Sequence, residues 1–154
     1  MLDTCRELGV AFVPFSPLGR GFLAGTSQSV EHLDEQDLRS TIARPRFELD
    51  AFARNQPLLL GFADIAKESR CSMAQLALAW LLSVENETLI PILGTRSIEH
   101  MRENAASAAL TLSAETLERI DALINESTVT GDRYTADRML EADSERDVRA
   151  RSIR

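Results

Sequence analysis

The sequence is poor in several residues on which many enzymes depend. Lys67 is the single lysine and Tyr134 the single tyrosine among 154 residues, and there are only two histidines and two cysteines. A mechanism that needs a tyrosine–lysine pair must therefore use those two residues or do without such a pair. Cys5 and Cys71 show no spacing typical of a metal or redox motif. They suit a reducing compartment such as the cytoplasm, where thiols stay free.

Basic charge and long apolar runs are also scarce. Lys and Arg number 17 and Asp and Glu 24, so the formal net charge is −7. This charge argues against a nucleic-acid partner, because phosphate neutralisation needs a basic surface. No run of 18 apolar residues occurs, so no membrane span is predicted, and the first six residues lack the layout of a secretion signal. A hydrophobic content of 44% is that of an ordinary globular domain.

Two short apolar runs carry the strand signal. Residues 10–15 follow Gly9, which is a typical left-handed helix stop, and residues 88–93 form the second run. Continuous apolar runs of this length are typical of strands buried on both faces of a parallel sheet. Each run contains a proline, which removes one donor from the ladder. We expect two strands at these positions.

Helices are predicted over much of the remaining chain. Ser72 and Gln75 form a capping box in front of an apolar segment, and Ser97 and Ser113 are the expected caps of two further helices. The segment after Ser72 is apolar almost all round, which is typical of a buried helix. The predicted helices span residues 56–70, 73–84, 97–109 and 113–125.

The polar segment 26–55 gives a weaker signal. We expect a long loop there, with a short helix from Asp34. Its arginines Arg39, Arg44 and Arg46 could clamp an anion, although charges in such a loop are more often solvated.

The order of these elements predicts an α/β architecture with parallel strands. Two strands cannot form a stable sheet with both faces covered, so the sequence resembles a piece of something larger. Residues beyond about 134 are rich in charge and poor in apolar side chains. We therefore expect a body over residues 1–134 and a charged, frayed tail over residues 135–154.

The strongest local motif joins the second strand to the helix that follows it. Gly94, Thr95, Arg96 and Ser97 stand where a helix N-terminus offers free amides and the positive end of its dipole. Hydroxyl donors and a planar guanidinium suit a phosphate. The same residues also fit an ordinary N-cap beside a solvated arginine, and the residues alone favour that interpretation because caps far outnumber phosphate sites.

Two further features are weaker by themselves. In the loop 15–21 the glycines allow a ligand to approach the backbone closely, and Phe15 offers a flat face for stacking. On the helix after Ser97, His100 and Asn104 share a face with Glu103 beside them, and such side chains can contact an adenine edge or a ribose hydroxyl. A turn with a buried phenylalanine and a plain polar helix surface are the alternatives.

Taken together, these segments resemble the C-terminal half of an aldo-keto reductase. The resemblance rests on four blocks in the same order and spacing, namely residues 13–25, 74–82, 90–97 and 103–104. It covers the chain up to about Tyr134. The family fold implies that the chain is α/β, a partial TIM-type (β/α)8 barrel made of the last two strands with their helices plus C-terminal helices.

The resemblance implies NADPH as the cofactor. Phe15 stands where the family places an aromatic ring that stacks on the nicotinamide. Ser16, Leu18 and Gly19 would line the path of the pyrophosphate and the nicotinamide.

By the same resemblance, the motif that begins at Gly94 would hold the adenosine half of the cofactor with its 2′-phosphate. Thr95 and Arg96, following Gly94, would hold the 2′-phosphate, which favours NADPH over NADH. His100 stands at a position that is often arginine or glutamine in the family. Glu103 and Asn104 would contact the adenosine.

The family's catalytic Asp, Tyr, Lys and His come from its first four strands, and no residue here matches them. Lys67 and Tyr134 fit no family motif. We therefore expect a chain that is inactive alone and belongs to an enzyme reducing a small aldehyde or ketone to an alcohol. The alternative is a non-catalytic module that binds NADPH or a partner protein. Unpaired strand edges would also favour self-association.

Overall fold

The computed structural model describes residues 1–26, 29–84 and 88–142. Within these ranges the chain is built of helices joined by turns and irregular segments. The α-helices are α1 Leu2–Leu8, α2 Leu49–Glu68, α3 Met73–Val84, α4 Ile98–Ala106, α5 Ala114–Leu123 and α6 Ala136–Met139. Three short 3₁₀ helices, η1 Gly19–Gly21, η2 Arg44–Arg46 and η3 Ser107–Ala109, lie between them.

The predicted strands and the partial TIM-type (β/α)8 barrel are wrong for this structure. In the described residues, 10–15 and 88–93 meet at one isolated parallel bridge, between Phe12 and Leu89. The Phe12 N–H donates to Thr88 O at 2.7 Å, and the Ile90 N–H donates to Phe12 O at 2.9 Å. Pro14 occupies the next donor position, where an N–H would bond the Ile90 carbonyl. The Ile92 N–H still donates to Pro14 O at 3.0 Å, but without the Pro14 N–H no second bridge forms.

The predicted helix stop and helix caps, which depend on residues close together in the sequence, are confirmed. Gly9 ends α1 in the left-handed conformation, with φ 62°. The Ser72 N–H donates to Gln75 Oε1 at 3.1 Å, and the Gln75 N–H donates to Ser72 Oγ at 3.2 Å, which is the predicted capping box. Ser97 and Ser113 likewise accept backbone N–H groups at the starts of α4 and α5.

The long helix α2 begins earlier than predicted. It starts at Leu49, inside the segment expected to be a loop, and carries Pro57 in its interior. A proline is tolerated best in the first turn of a helix, so Pro57 stands at an unusual position in α2. The short helix expected from Asp34 is wrong as well, because residues 35–43 form turns and a bend.

The chain forms two compact units. The first comprises Met1–Gln28 and Pro57–Thr128, and the second Ser29–Gln56 and Val129–Arg154. The core of the first unit is formed by apolar side chains of α2, α3 and α5, and the fully buried Phe62 and Leu76 are its largest members. Its remaining buried members are Ile65, Ala66, Ala77 and Ile120.

The second unit is held by polar contacts between distant segments. The buried Asn55 donates from Nδ2 to Thr130 O at 2.9 Å and accepts the Thr130 N–H at 2.8 Å. Arg46 Nε donates to Gly131 O at 3.1 Å. Gly131 has φ 90°, and a Cβ there would lie 2.5 Å from Pro45 O. The boundary predicted between residues 134 and 135 stays a prediction, and residues 143–154 of the expected tail lie outside the described residues.

Replacing Gly131 tests this packing. Gly131→Ala should lower the free energy of unfolding by about 1–3 kcal/mol, because alanine disfavours the positive φ and its Cβ meets the Pro45 backbone. Urea denaturation followed by circular dichroism measures the change. Gly94→Ala is the control, since a Cβ at that position would meet no atom within 4 Å. Equal stability of the Gly131→Ala variant and the parent would contradict the packing described.

Candidate functional site

A cleft of about 810 Å³ lies within the first unit, between the loop 15–26, the start of α3 and the start of α4. Of the ten predicted site residues, the cleft brings together Phe15, Ser16, Leu18, Gly94, Thr95, His100, Glu103 and Asn104. Gly19 and Arg96 are not among its lining residues, although each is the chain neighbour of one that is. The other lining residues were not among the ten predicted, although Gly21 belongs to the loop 15–21 whose glycines were expected to admit a ligand; they are Pro17, Arg20, Gly21, Ala24, Thr26, Ala74, Ile92 and Leu93.

The loop at one wall of the cleft is tightly wound. Ser16 has φ 53° and Arg20 φ 59°, and Gly19 and Gly21 are also left-handed. Non-glycine residues in this conformation carry strain and are found preferentially at functional sites. The Gly19 N–H donates to Ser16 O at 3.0 Å, which closes the turn. Phe15 is left 52% exposed at the cleft.

The N-terminus of α4 forms the opposite wall. Ser97 Oγ accepts the His100 N–H at 3.3 Å, and Thr95 Oγ1 accepts the Ser97 N–H at 3.1 Å. The ordinary capping role of Ser97 is therefore realised. The N–H groups of Ile98 and Glu99 make no hydrogen bond within the described part of the chain. These two amides remain available at the positive end of the helix dipole.

Asn104 is the most informative side chain of the site. It is 5% exposed and lines the cleft. Its carbonyl accepts Ser107 Oγ–H at 2.6 Å, but its side-chain amide makes no hydrogen bond to any described residue. The amide is thus held in place by the burial of the rest of the residue, and its polar atoms remain open to the cleft.

The arginines singled out in the sequence differ in whether they form ion pairs. Arg96 is exposed and forms no ion pair within the described residues. Arg39 pairs with Asp37 at 2.7 Å, and its guanidinium holds the pKa of the Asp37 carboxyl below its ordinary value. Arg44 pairs with Glu48 at 3.0 Å. Arg39 and Arg44 thus lie in local ion pairs of the second unit. The sequence had left open whether these arginines clamp an anion.

Residues that sequence reasoning set aside lie away from the cleft. Lys67 is in the last turn of α2, and Tyr134 belongs to the second unit, under the guanidinium of Arg133. Cys5 and Cys71 are free thiols, and burial raises the pKa of Cys71. Among the described residues no group of three or more His, Cys, Asp or Glu side chains could hold a metal ion.

The helices in the described ranges include none that is both long and apolar enough to cross a membrane.

Comparison with known proteins agrees with the resemblance found in the sequence. The model of the Aldo/keto reductase family matches residues 1–125. Aldo-keto reductase str7 of Strobilurus tenacellus is 35% identical over 133 residues, which cover 86% of this chain and 39% of that protein. Probable aldo-keto reductase 1 of Glycine max is 38% identical over 134 residues, covering 87% of this chain and 38% of the relative. The chain thus spans about two fifths of the length of these relatives, and over the matched residues it belongs to the aldo/keto reductase family.

Proposed function

We propose that this chain carries the NADPH-binding part of a cytoplasmic oxidoreductase that reduces a small aldehyde or ketone to an alcohol. The observation that carries the proposal is the cleft itself, which brings the Asn104 side chain together with Phe15 and Thr95. Family membership supports the oxidoreductase class. When bound, NADPH supplies the hydride that such a reduction needs.

The residues of the cleft suit the separate parts of the cofactor. Asn104 offers an amide that can both donate to and accept from an adenine edge. The free N–H groups at the start of α4, with Thr95 and the neighbouring Arg96, suit the 2′-phosphate. Phe15 presents an exposed ring for the nicotinamide.

The loop wall suits the centre of the cofactor. Ser16 and Leu18 line the cleft. The Gly19 N–H closes the turn by donating to Ser16 O. Glycine lets the backbone approach a pyrophosphate closely because it has no side chain.

We assign no catalytic residue to this chain. Reduction of a carbonyl needs an acid that protonates the developing alkoxide. Lys67 and Tyr134 do not line the cleft. The proposal is therefore cofactor binding by the isolated chain without turnover, and the groups that act on the carbonyl belong to the rest of a longer protein.

A non-catalytic interaction module is the second candidate. The N–H groups of Ala11 and Val13 make no hydrogen bond within the described residues, and Val13 and Ile92 are 50% and 54% exposed. Because the Phe12 N–H points to Thr88, the neighbouring donors face the open side. An open apolar edge of this kind pairs readily with another chain, and we propose self-association through it.

Arg96→Ala tests the assignment of the 2′-phosphate. We expect NADPH affinity to fall by about 1.5–3 kcal/mol, the range for a charged hydrogen bond, while NADH affinity stays unchanged. A fluorescence titration with each dinucleotide measures the difference. Arg102→Ala removes an exposed arginine that does not line the cleft and serves as the control. Equal losses for both dinucleotides would remove Arg96 from this role.

Asn104→Leu separates a binding role from a structural one. Affinity for NADPH and NADH should both fall by about 1 kcal/mol or more, because the adenosine contact is common to them. The free energy of unfolding should change little, because the Asn104 side-chain amide makes no hydrogen bond to the described residues that the substitution would break. Asn55→Leu is the contrasting variant. It leaves the Thr130 N–H and carbonyl without their partner and should cost about 1–3 kcal/mol of stability. A large stability loss in Asn104→Leu would speak for a purely structural amide.

Val13→Lys tests self-association. A lysine on the open edge should shift the sedimentation coefficient toward that of a monomer, because charge on an edge opposes strand pairing. Leu60→Lys places the same charge on a residue of α2 that is 68% exposed, and should leave association unchanged. A parent chain that sediments as a monomer at working concentration would rule out this use of the edge.

A further inference from the structure

The helix α4, which brings Asn104 to the cleft, buries little apolar surface. Its two large apolar side chains, Ile98 and Met101, are 67% and 55% exposed, and Asn104 alone among the described residues of α4 is buried. α4 packs against α3 and η3, but the burial of an apolar face, which fixes most surface helices on their cores, contributes little here. The position of α4 relative to the core therefore depends on its polar contacts.

A hydrogen bond from Gln75 supplies such a contact. Gln75 Nε2 donates to the Glu103 carbonyl oxygen at 3.2 Å, across 28 residues of sequence. Within the described residues it is the one hydrogen bond that joins α3 to α4. The next residue of α3, Leu76, is fully buried in the core of the first unit. The bond from Gln75 therefore connects the cleft wall to that core, at the residue before Asn104.

The orientation of the Gln75 amide is set by its two partners. Gln75 Oε1 accepts the Ser72 N–H at 3.1 Å, while Nε2 donates to the Glu103 carbonyl. Because one partner is a donor and the other an acceptor, only one orientation of the amide satisfies both. An ionised glutamate offers acceptors alone, so it could keep the first bond but not the second. Gln75 is not among the residues that line the cleft, so it acts on a ligand there only through α4.

We propose that Gln75 is a positioning residue of the dinucleotide site, which holds the Asn104 side chain in place for the adenosine part of the ligand through the bond to Glu103. The inference rests on the proposed cofactor site. A contact that orders a binding group before the ligand arrives reduces the ordering that binding itself requires. Without the bond, Asn104 is present but less well placed, so affinity falls while the chain stays folded. NADPH and NADH share the adenosine, so both should be affected alike.

Two substitutions in the capping box separate the bond to α4 from the capping of α3. Gln75→Glu keeps an acceptor for the Ser72 N–H, and glutamate is common at this position of a capping box. Its carboxylate has no hydrogen to donate to the Glu103 carbonyl. Ser72→Ala is the matched control, because it removes the Oγ that accepts the Gln75 N–H and leaves the bond from Gln75 to Glu103.

Fluorescence titration of the full chain with NADPH and with NADH measures affinity, and urea denaturation followed by circular dichroism measures stability. In Gln75→Glu both dinucleotides should bind about three- to tenfold more weakly, the effect of losing one hydrogen bond. The urea midpoint of this variant should fall no further than that of Ser72→Ala. In Ser72→Ala the midpoint should fall because an N-cap is lost, while both affinities stay at the level of the parent.

A double-variant cycle tests whether Gln75 acts through Asn104. In the Asn104→Leu background, Gln75→Glu should weaken binding by a factor close to one, because the effects of two residues that act together do not add. A general loosening of the first unit would instead weaken binding by the same factor in both backgrounds, and that result would overturn the inference.

Two further results would overturn it while leaving the cofactor site standing. One is equal affinity of Gln75→Glu and the parent, and the other is an equal loss of affinity in Gln75→Glu and Ser72→Ala. Failure of the parent chain to bind either dinucleotide, in a sample whose circular dichroism shows the helices, would overturn the proposed function and this inference together.

Discussion

The side-chain amide of Gln75 is the contact on which the site depends. Its Oε1 accepts the Ser72 N–H at 3.1 Å and its Nε2 donates to Glu103 O at 3.2 Å. One amide thus caps α3 and ties that cap to α4, one residue before Asn104. Because α3 carries Leu76 into the core of the first unit, this hydrogen bond to Glu103 O helps to fix Asn104 relative to the core, together with the packing of α4 and η3 against α3. Loss of this side chain would remove both hydrogen bonds and loosen the cap and the cleft wall together.

Local rules of sequence account for one part of this structure and fail for another. The capping box of Ser72 and the caps at Ser97 and Ser113 were predictable because each involves residues three apart. The strands were not, since a strand needs consecutive bridges, and Pro14 lacks the N–H that a second bridge requires. An apolar run such as 10–15 indicates burial, but it carries no information about the partner that a strand needs.

Contacts between residues far apart in the sequence could not be predicted, for a related reason. Asn55 and Thr130 are 75 residues apart, and nothing near either one indicates their reciprocal hydrogen bonds. The candidate site was more accessible because its motifs lie next to helix starts and glycine turns, which have local signals. Even so, the burial of Asn104 could not be predicted. It depends on how α4 packs against α3, and a polar helix face looks the same in sequence whether it meets solvent or a cleft.

The composition also limits how this cleft can hold an anion. With a single lysine, placed on α2 away from the cleft, cationic contacts must come from arginine and histidine or from backbone amides. Arg20 and Glu103 both line the cleft, so the fixed side-chain charges there are of both signs. The amides of Ile98 and Glu99 add a partial positive charge that does not vary with pH. Arginine likewise stays charged throughout the physiological range, so the attraction of Arg20 and of these two amides for an anion does not depend on a change of protonation.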